Sequence, residues 1–438
     1  MKDLKRLWLI SLLIKLLVAA LLPLSADEAY YWVWSHNLRL SYFDHPPMVS
    51  WLFYMGHFLE NFLHAARWPA VIMGHATLLV WISLLKPHVD LQKIKIWLYL
   101  ALFSPLIGFG SLIVTPDVAI VFFWSLSLFF LQKALESKRL QDYLFLGAAL
   151  GLGFCAKYHI VLFIPFLFLY LFVEKRWRDV QWKFVPTTVL SGLLFCTPVL
   201  LWNYQNDFAS FQFQLKHGLE RPDYQFSWTW SYVLGQILAL FPLVAWAAIK
   251  LHIPKKARLF IYFGWGPLAF FFLTSFKALV EVNWPIIGYP AIFALALFHP
   301  KIKKWTVWSS CFWGALYIVV LSTLFTPPLR NLNEKISEPF RLQALKGLPE
   351  EYQPLFANNY QVASSLWYFS KIPVYKLNGM SRYDFFDTLD GRNPTGNHFY
   401  LLKYERNSLP PWVSEQEWDV SEVKKIAPDF VLLKIEKK

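Results

Sequence analysis

The chain has 438 residues, of which 56% are hydrophobic and only 16% are charged, and its mean hydropathy is +0.36. Soluble domains carry about a quarter charged residues, so this composition excludes an ordinary soluble enzyme and places most of the chain in a bilayer. The net charge of +13 does not indicate nucleic-acid binding, because residues 327–438 hold 15 Lys and Arg against 14 Asp and Glu. The excess positive charge therefore lies in the hydrophobic part.

The first predicted element is an apolar span at Trp8–Leu24, which follows the basic residues Lys2, Lys5 and Arg6. A basic start before an apolar run also fits a secretory signal peptide. No clean small-residue cleavage site follows, so the sequence favours a first transmembrane helix, with Lys15 reaching an interface or facing protein. Ten further apolar segments have lengths suited to a hydrocarbon core that takes roughly 20 helical residues, namely 67–85, 94–115, 117–135, 142–156, 159–173, 184–203, 229–249, 259–276, 284–299 and 305–325.

The charges of the connecting segments predict the orientation of these spans. With the N-terminus inside, the inner segments carry 20 Lys and Arg and the outer segments carry six. Cytoplasmic loops are enriched in Lys and Arg, so the N-terminus is predicted to be cytoplasmic and the C-terminal part to lie outside. Nine of the fifteen acidic residues before residue 327 fall in the outer segments, and we therefore expect chemistry at the outer face.

The composition changes to that of a soluble domain after Pro327-Pro328, which predicts a membrane unit of residues 1–326 and an outer unit of residues 327–438. Residues 329–353 read as polar helix and loop, and Tyr360–Phe369 as an amphipathic helix. Short strands are expected at Lys371–Leu377, Phe399–Tyr404 and Phe430–Ile435. The predicted fold class is mostly α, a polytopic membrane helix bundle of about 11 transmembrane helices with a small C-terminal α/β domain.

Several common kinds of site are not predicted. Three widely spaced cysteines each lie in an apolar segment and indicate packing residues rather than disulfides or a metal cluster, namely Cys155, Cys196 and Cys311. The chain has neither a GxGxxG nor a GxxxxGK[ST] pattern, so direct nucleotide use has no support. Four early histidines show no spacing strong enough to predict zinc and stay unassigned, namely His36, His57, His64 and His75.

The longest polar interruption in the first half is Ala26–Leu52, which begins with Asp27 and Glu28 and continues with aromatics that include Tyr30. A carboxylate at a membrane surface among aromatic rings suits a general base for an acceptor hydroxyl or a ligand for a divalent cation. Neighbouring helical positions point about 100° apart, so one acid can face a cavity while the other braces a neighbouring element. The alternative is a helix start, capped by Ser25 or Asp27.

The same stretch ends on Asp44-His45-Pro46-Pro47. The two prolines predict an extended entry into a helix from Pro47 onward, and a helix N-terminus attracts anions. Asp44 and His45 are therefore candidate substrate-binding residues, with His45 a possible phosphate contact. An ordinary turn with a histidine at the headgroup level is the alternative.

Asp117 follows Thr115-Pro116 where the third span turns into the fourth, and it is also an ordinary helix-start residue. Lys157, followed by Tyr158 and His159, lies between two short apolar arms. A lysine at depth is costly, so we expect an anionic partner, either Asp117 or a ligand phosphate. Snorkelling of Lys157 to the outer interface is the alternative.

Lys277, Glu281 and Asn283 place a cation, an anion and an amide at another outer helix start, where Lys277 or Asn283 could contact a phosphate or sugar. A plain interface turn is the alternative. Four outer turns that are far apart in sequence thus carry polar groups, and a helix bundle can bring them around one cavity. A charged lipid headgroup would lie there, with its chain in the bilayer.

Four ordered motifs resemble the bacterial family-39-type glycosyltransferases of the GT-C superfamily, which also includes protein O-mannosyltransferases and the aminoarabinose transferase of lipid A. The motifs are ADEAYYWVWS…LSYFDHPPMVSWL, VTPDVAIVFFWSLSLFFLQKAL, LGLGFCAKYHIVLFIP and EVNWPIIGYPA. The resemblance covers roughly residues 1–300 and continues more weakly through YQVASSLWYFSKIPVYKLNG and SRYDFF. Its motifs are specific for the family and not for the substrate.

The resemblance implies transfer of one sugar from a polyprenyl-phosphate donor to an acceptor, with inversion. It implies that Asp27 is the catalytic carboxylate, with Glu28 beside it, and that Asp117 is the second outer acid. Lys157 matches the lysine after the fifth span, and Asn283-Trp284-Pro285 matches a donor-side turn. The aminoarabinose transferases carry a lysine where His45 stands here, so a phosphate contact by His45 depends on pH.

We therefore predict an inner-membrane glycosyltransferase that acts on the periplasmic face of a bacterium, with a glycolipid of the lipid A type or a protein as acceptor. Asp27 supplies the base, and cationic contacts to the leaving phosphate come from Lys157, Lys277 and His45. No cofactor is predicted with certainty, and a divalent cation held by acids could replace part of these contacts. A transporter or flippase for a lipid-linked sugar, or a non-catalytic partner subunit with this fold, is the alternative.

Overall fold

The computed structural model describes residues 2–219, 223–249, 253–330, 334–415, 418–426 and 429–438. The predicted inner loop 250–258 is thus described only from residue 253. All eleven predicted spans coincide with helical segments, so the helix-bundle prediction is confirmed. Five helices are long and apolar enough to cross a membrane singly, namely Ala65–Leu85, Pro116–Ser137, Trp182–Gln205, Lys255–Thr274 and Ile302–Ser322.

The other six predicted spans are bent or short. Bends of 93°, 69° and 92° separate the two parts of three helix pairs, and three apolar helices have fewer than 18 residues. The α-helices of this part are α1 (Lys2–Leu21), α2 (Ala26–Ser35), α3 (Met48–Met55), α4 (Trp68–Leu85), α5 (Leu91–Phe103), α6 (Pro116–Ser137), α7 (Leu140–Ala156), α8 (Phe163–Val173), α9 (Val185–Gln205), α10 (Ala209–Leu219), α11 (Phe226–Leu240), α12 (Pro242–Ile249), α13 (Leu259–Thr274), α14 (Tyr289–Ala296) and α15 (Ile302–Ser322).

Prolines account for two of the bends. Pro105 opens a π-helical turn, Pro105–Phe109, directly after α5, and Pro242 opens α12 after α11. Proline has no N–H to donate and disfavours a helical conformation in the residue before it, so a helix ends at that point. The predicted continuous spans 94–115 and 229–249 are therefore wrong in this respect, because each contains a sharp break.

The stretch Ala26–Leu52 was expected to be a polar loop, but much of it is helical. Ser25 caps α2 in a capping box, since its hydroxyl accepts the N–H of Glu28 and the Glu28 carboxylate accepts the N–H of Ser25. The chain turns by 93° from α1 into α2, and α3 starts after the two prolines as expected. The outer segment predicted between the first two spans, residues 25–66, therefore holds two α-helices, α2 and α3.

The C-terminal region contains a five-stranded sheet in the order β2-β1-β3-β5-β4, where β1 is parallel to β2 and β3 and β5 is antiparallel to its neighbours. The expected helix Tyr360–Phe369 and two of three expected strands are present. The elements are α16 (Pro327–Arg330), α17 (Glu334–Ala344), α18 (Leu348–Glu351), β1 (Leu355–Ala357), α19 (Tyr360–Ser370), β2 (Tyr375–Lys376), β3 (His398–Tyr404), α20 (Pro411–Glu415), β4 (Trp418–Ile426) and β5 (Phe430–Lys437).

The strand predicted at Lys371–Leu377 is reduced to the two residues of β2, and two strands were missed. β1 is only three residues long, too short for a periodic pattern. β4 is largely exposed and carries Asp419, Glu422 and two lysines, so no apolar run marks it. Edge strands of this kind carry charge, which hides them from a hydrophobicity search.

Helices α7 and α9 pack closely through small residues. A Cβ atom added to Gly147 would lie 2.1 Å from the carbonyl oxygen of Thr188, and one added to Gly151 would lie 2.4 Å from that of Gly192. Both distances are shorter than van der Waals contact, so glycine permits this separation of the helices. Small residues at helix crossings are typical of membrane bundles.

We expect Gly151→Ala to lower the free energy of unfolding by about 1–3 kcal/mol, because the methyl group forces α7 away from α9. Thermal unfolding of the purified protein in detergent measures this effect. Gly347→Ala is the matched control, since no atom lies within 4 Å of the added Cβ. Equal melting temperatures for the two variants would contradict the close packing of α7 on α9.

Candidate active site

Glu28 is a fully buried acid at the start of α2. Its Oε2 atom lies 3.0 Å from Nη2 of Arg67, which is also fully buried, and it accepts the N–H and O–H of Ser25. Its Oε1 atom accepts the N–H of Val114 at 2.8 Å. Both carboxylate oxygens are therefore occupied by protein groups, and Glu28 joins α2 to the segment that precedes α6.

Arg67 extends this connection to α1. Its guanidinium donates to the carbonyl oxygens of Ala19, Leu22 and Pro23 at 3.1–3.2 Å. These carbonyls lie at the end of α1 or just beyond it, where helical partners are missing. The ends of α1, α2 and α4 thus meet at one buried ion pair.

Asp27, the neighbour of Glu28, is exposed. The hydroxyl of Tyr360, from α19 of the C-terminal region, lies 3.4 Å from its Oδ1 atom. One of the two adjacent acids therefore braces the fold while the other faces outward, as their angular separation on a helix predicts.

Asp117, Lys157 and Asn283 form a second polar group. The Lys157 ammonium lies 2.7 Å from Oδ1 of Asp117, and the amide of Asn283 donates to Oδ2 at 2.5 Å. The three residues come from the start of α6, the end of α7 and the turn before α14. The expected anionic partner of Lys157 is confirmed as Asp117.

A mainly apolar cavity of about 200 Å³ is lined in part by two members of this group, Asp117 and Asn283. Its remaining walls come mainly from α4, the π-helical turn and the start of α6. Most other lining residues are small or aliphatic, and Thr77, Ser111 and Thr115 add hydroxyl groups. An apolar ligand group beside a polar one fits this lining.

Asp44 connects the membrane helices to the C-terminal region. Its carboxylate accepts the hydroxyl of Tyr30 at 2.7 Å and lies 2.6 Å from Nη1 of Arg382. The Tyr30 oxygen in turn accepts the N–H of Phe385 at 2.8 Å. Tyr30 therefore holds both the Asp44 loop and the turn that carries Arg382.

A buried lysine holds that turn. The ammonium of Lys376 lies 2.8 Å from Oδ2 of Asp384 and from the carbonyl oxygen of Arg382, and it also pairs with Asp387. Burial, only partly offset by Lys376, raises the pKa of Asp384 to about 6. This cluster fixes the backbone that presents Arg382 to Asp44.

His45 and Tyr31 lie among these charges. Burial, together with the Lys157 ammonium, lowers the pKa of His45 to about 4, and the Asp44 and Asp117 carboxylates oppose the shift. His45 is therefore uncharged at neutral pH in this structure, and its contact to a phosphate stays a prediction.

Burial raises the pKa of Tyr31 well above its usual value, and the negative charges of Asp27, Asp44 and Asp117 act in the same direction. Its hydroxyl therefore stays protonated. Three of the candidate carboxylates, Asp27, Asp44 and Asp117, thus lie within electrostatic range of Tyr31.

The remaining candidates have mixed placements. Tyr158 shares a hydrogen bond of 2.9 Å with Ser210, and the His159 ring lies against Phe271 and Trp284. These contacts give both residues packing roles beside Lys157. Lys277 and Glu281 are exposed in the turn after α13. Asn283, from the same turn, instead contacts Asp117.

Three residues of this site were not predicted from the sequence, namely Tyr31, Tyr360 and Arg382. Tyr31 adjoins a chosen residue in an aromatic run and carried no separate signal. Tyr360 and Arg382 lie more than 300 residues from Asp27, and only folding brings them to α2. The SRYDFF motif at Arg382 was the available signal.

The family model described as dolichyl-phosphate-mannose-protein mannosyltransferase matches residues 44–202. A lipid A galacturonosyltransferase of Rhizobium johnstonii is 25% identical over 300 residues, which are 64% of this chain and 61% of that protein. An undecaprenyl phosphate-alpha-4-amino-4-deoxy-L-arabinose arabinosyl transferase of Pseudomonas aeruginosa is 27% identical over 301 residues, 62% of this chain and 52% of that protein. The chain thus aligns with little more than half the length of these relatives.

Solved structures match over nearly the full chain. The crystal structure of ArnT from Cupriavidus metallidurans bound to undecaprenyl phosphate has a TM-score of 0.70 at 13% identity, with 99% of this chain and 98% of that chain covered. Its apo state has a TM-score of 0.71. The fold is therefore shared by the bundle and the C-terminal region together.

The bundle of broken helices and the α/β C-terminal region together have the fold of the ArnT structure. The match to the family model over residues 44–202 and the similarity to the curated relatives agree with the resemblance of the sequence motifs to family-39-type glycosyltransferases.

We expect Glu28→Gln and Arg67→Met each to lower the free energy of unfolding by about 3–5 kcal/mol, because each leaves a buried charge without its partner. Unfolding in detergent measures the loss. The double variant should lose less than the sum of the two single variants. Strict additivity would contradict a direct interaction between the two side chains.

His45 supplies a pH-dependent prediction. Its folded pKa of about 4 is below its ordinary value of about 6.5, so the unfolded chain binds more protons between these values. Its contribution to stability is present above pH 6.5 and is lost as the pH falls toward 4. We expect the melting temperature of the wild type to fall more steeply over this range than that of His45→Gln.

Proposed function

We propose that this protein transfers a sugar from a polyprenyl-phosphate donor to an acceptor at the outer face of the bacterial inner membrane. The observation that carries the proposal is the mainly apolar cavity lined by Asp117 and Asn283, with Lys157 paired to Asp117. A polyprenyl phosphate has the matching chemistry, an apolar chain with an anionic head. In this proposal residues 1–326 form the membrane unit and residues 327–438 a periplasmic domain.

Lys157 is the proposed contact to the departing phosphate. Transfer leaves negative charge on the phosphate, and a fixed cation near that charge stabilises the transition state. Asp117, which accepts the Asn283 amide, holds the ammonium in place while the donor is absent, and the donor phosphate would share this ammonium. Lys157 takes this role because His45 is uncharged at neutral pH.

Asp27 is the proposed general base. Of the four carboxylates Asp27, Glu28, Asp44 and Asp117, Asp27 is the exposed one, whereas the other three are buried. It stands next to the braced Glu28, at a position that an acceptor can reach from outside. One base that deprotonates the acceptor hydroxyl allows direct displacement of the phosphate, which inverts the anomeric carbon.

Glu28 and Tyr30 are positioning residues in this mechanism. Glu28 fixes α2 and the segment before Asp117 through its two oxygens. Tyr30 fixes Asp44 and the Arg382 turn, so that Arg382, Tyr31 and Tyr360 border the region beside Asp27. The guanidinium of Arg382 is half-exposed and is a candidate contact for an anionic acceptor or sugar.

The proposed orientation and acceptor rest on separate grounds. The excess of Lys and Arg in the predicted inner segments supports a cytoplasmic N-terminus, which puts the site and the C-terminal region outside. One relative is named as a lipid A galacturonosyltransferase. The name of another contains an undecaprenyl-phosphate-linked aminoarabinose. A lipid A-type glycolipid is therefore the favoured acceptor class, with a protein acceptor as the second.

We expect Asp27→Asn to reduce transfer by at least about 100-fold without changing the melting temperature, because the amide cannot accept the acceptor proton. The readout is the mass of envelope glycolipids from a deletion strain that expresses each variant, where wild type adds one sugar residue. Asp223→Asn, at another exposed acid, is the matched control and should restore the wild-type mass.

Full activity of Asp27→Asn would remove Asp27 as the base and leave the transferase proposal standing. No mass difference between wild-type and deletion strains, in either glycolipids or envelope proteins, would contradict the transferase proposal itself.

A further inference from the structure

Two histidines and a glutamate that are separate in sequence meet at the far end of α2. His36 is the C-cap residue of α2, and His57 and Glu60 come from the short helical turn after α3. The ligand-type atoms of the three residues all lie within 4.8 Å of one another. His36 is exposed, and the other two residues are partly buried.

The distances in this cluster suit a metal ion. Nε2 of His36 and Nε2 of His57 each lie 3.3 Å from Oε1 of Glu60. Tetrahedral zinc with bonds of about 2.0–2.1 Å has ligand atoms roughly 3.3 Å apart. The two distances to Glu60 match this spacing, and the two histidine nitrogens lie within 4.8 Å of each other, so small side-chain rotations would bring the three atoms into one coordination sphere.

Trp32 orients two of the three side chains. The ring Nδ1 of His36 lies 3.1 Å from the Trp32 carbonyl oxygen and donates its hydrogen there, so Nε2 is the nitrogen that faces Glu60. The indole N–H of Trp32, which is buried, donates to Oε1 of Glu60 at 2.9 Å. Metal-binding histidines and carboxylates are typically held by such outer hydrogen bonds.

His57 has a competing partner. The hydroxyl of Ser35 donates to the Trp32 carbonyl oxygen at 2.6 Å, and its oxygen lies 2.8 Å from Nε2 of His57. Without metal, Nε2–H of His57 donates to Ser35. Metal binding uses the other neutral tautomer, in which the proton is on Nδ1 and the Nε2 lone pair is available.

We propose that His36, His57 and Glu60 form a binding site for a divalent transition metal of the zinc class, with water in the open position. The site is separate from the proposed catalytic region, because His36 and Asp27 are nine residues apart on α2 and thus roughly 13 Å apart along its axis. The metal would tie the end of α2 to the turn after α3.

This site complements the ion pair at the other end of the helix. Glu28 and Arg67 fix the start of α2, whereas the three metal ligands would fix its end. The ammonium of Lys371 lies 4.4 Å from the centre of the Trp32 ring, so a lysine of the C-terminal region also reaches this end. A structural ion here would hold α2 at both ends.

The test uses the full chain, purified in detergent through a tag without histidines and stripped with a chelator. Bound Zn²⁺ is measured by elemental analysis after desalting, and Co²⁺ is added separately to record its visible spectrum. We expect one Zn²⁺ per wild-type chain and the intense Co²⁺ absorption of a tetrahedral site.

Glu60→Gln and His57→Ala should each lower the affinity for Zn²⁺ by at least about tenfold, whereas His398→Ala, at an exposed strand end, should leave it unchanged. Added Zn²⁺ should raise the melting temperature of the wild type and not that of Glu60→Gln.

Absence of stoichiometric Zn²⁺ from the wild type overturns the proposal, and so does equal binding by the wild type and a folded Glu60→Gln. If the variants do not fold, the wild-type Co²⁺ spectrum decides, since an octahedral spectrum identical to that of free Co²⁺ also overturns it.

Discussion

The buried ion pair between Glu28 and Arg67 is the constraint on which the site depends. A charge removed from water is costly unless it is paired and hydrogen-bonded, and here both Glu28 oxygens and both terminal Arg67 nitrogens have partners. Arg67 donates hydrogen bonds to carbonyls at the end of α1, and Glu28 accepts the N–H of Val114, three residues before Asp117. One buried contact therefore sets Asp27 and Asp117 relative to each other, although 90 residues separate them.

The rest of the site is built by the same principle, in which acids are engaged by cations from other parts of the chain. Lys157 engages Asp117 across two helices, and Arg382 engages Asp44 from the C-terminal region. Each pair also fixes a helix start or a turn, so electrostatic neutralisation and positioning are achieved by the same contacts. Asp27 differs because it is exposed, and this difference motivates its proposed role.

Much of the architecture was predictable because hydrophobic length and loop charge act locally along the chain. Helical segments at all eleven predicted spans, together with α19 and two strands, were found in this way. The bends at Pro105 and Pro242 were not anticipated, although both prolines are visible in the sequence, because a proline can also begin a helix without bending the path of the chain. The exposed strand β4 was missed since it buries little apolar surface.

The sequence by itself determined the class of protein, the helical bundle, the separate C-terminal region and most residues that gather at the site, because these follow from composition, periodicity and motif. The tertiary structure decided which residues are partners. It assigned Asp117 to Lys157, turned Glu28 into a brace, brought Arg382 and Tyr360 to α2, and assembled His36, His57 and Glu60. Such pairings depend on distances between segments far apart in the chain, and only packing of the helices sets those distances.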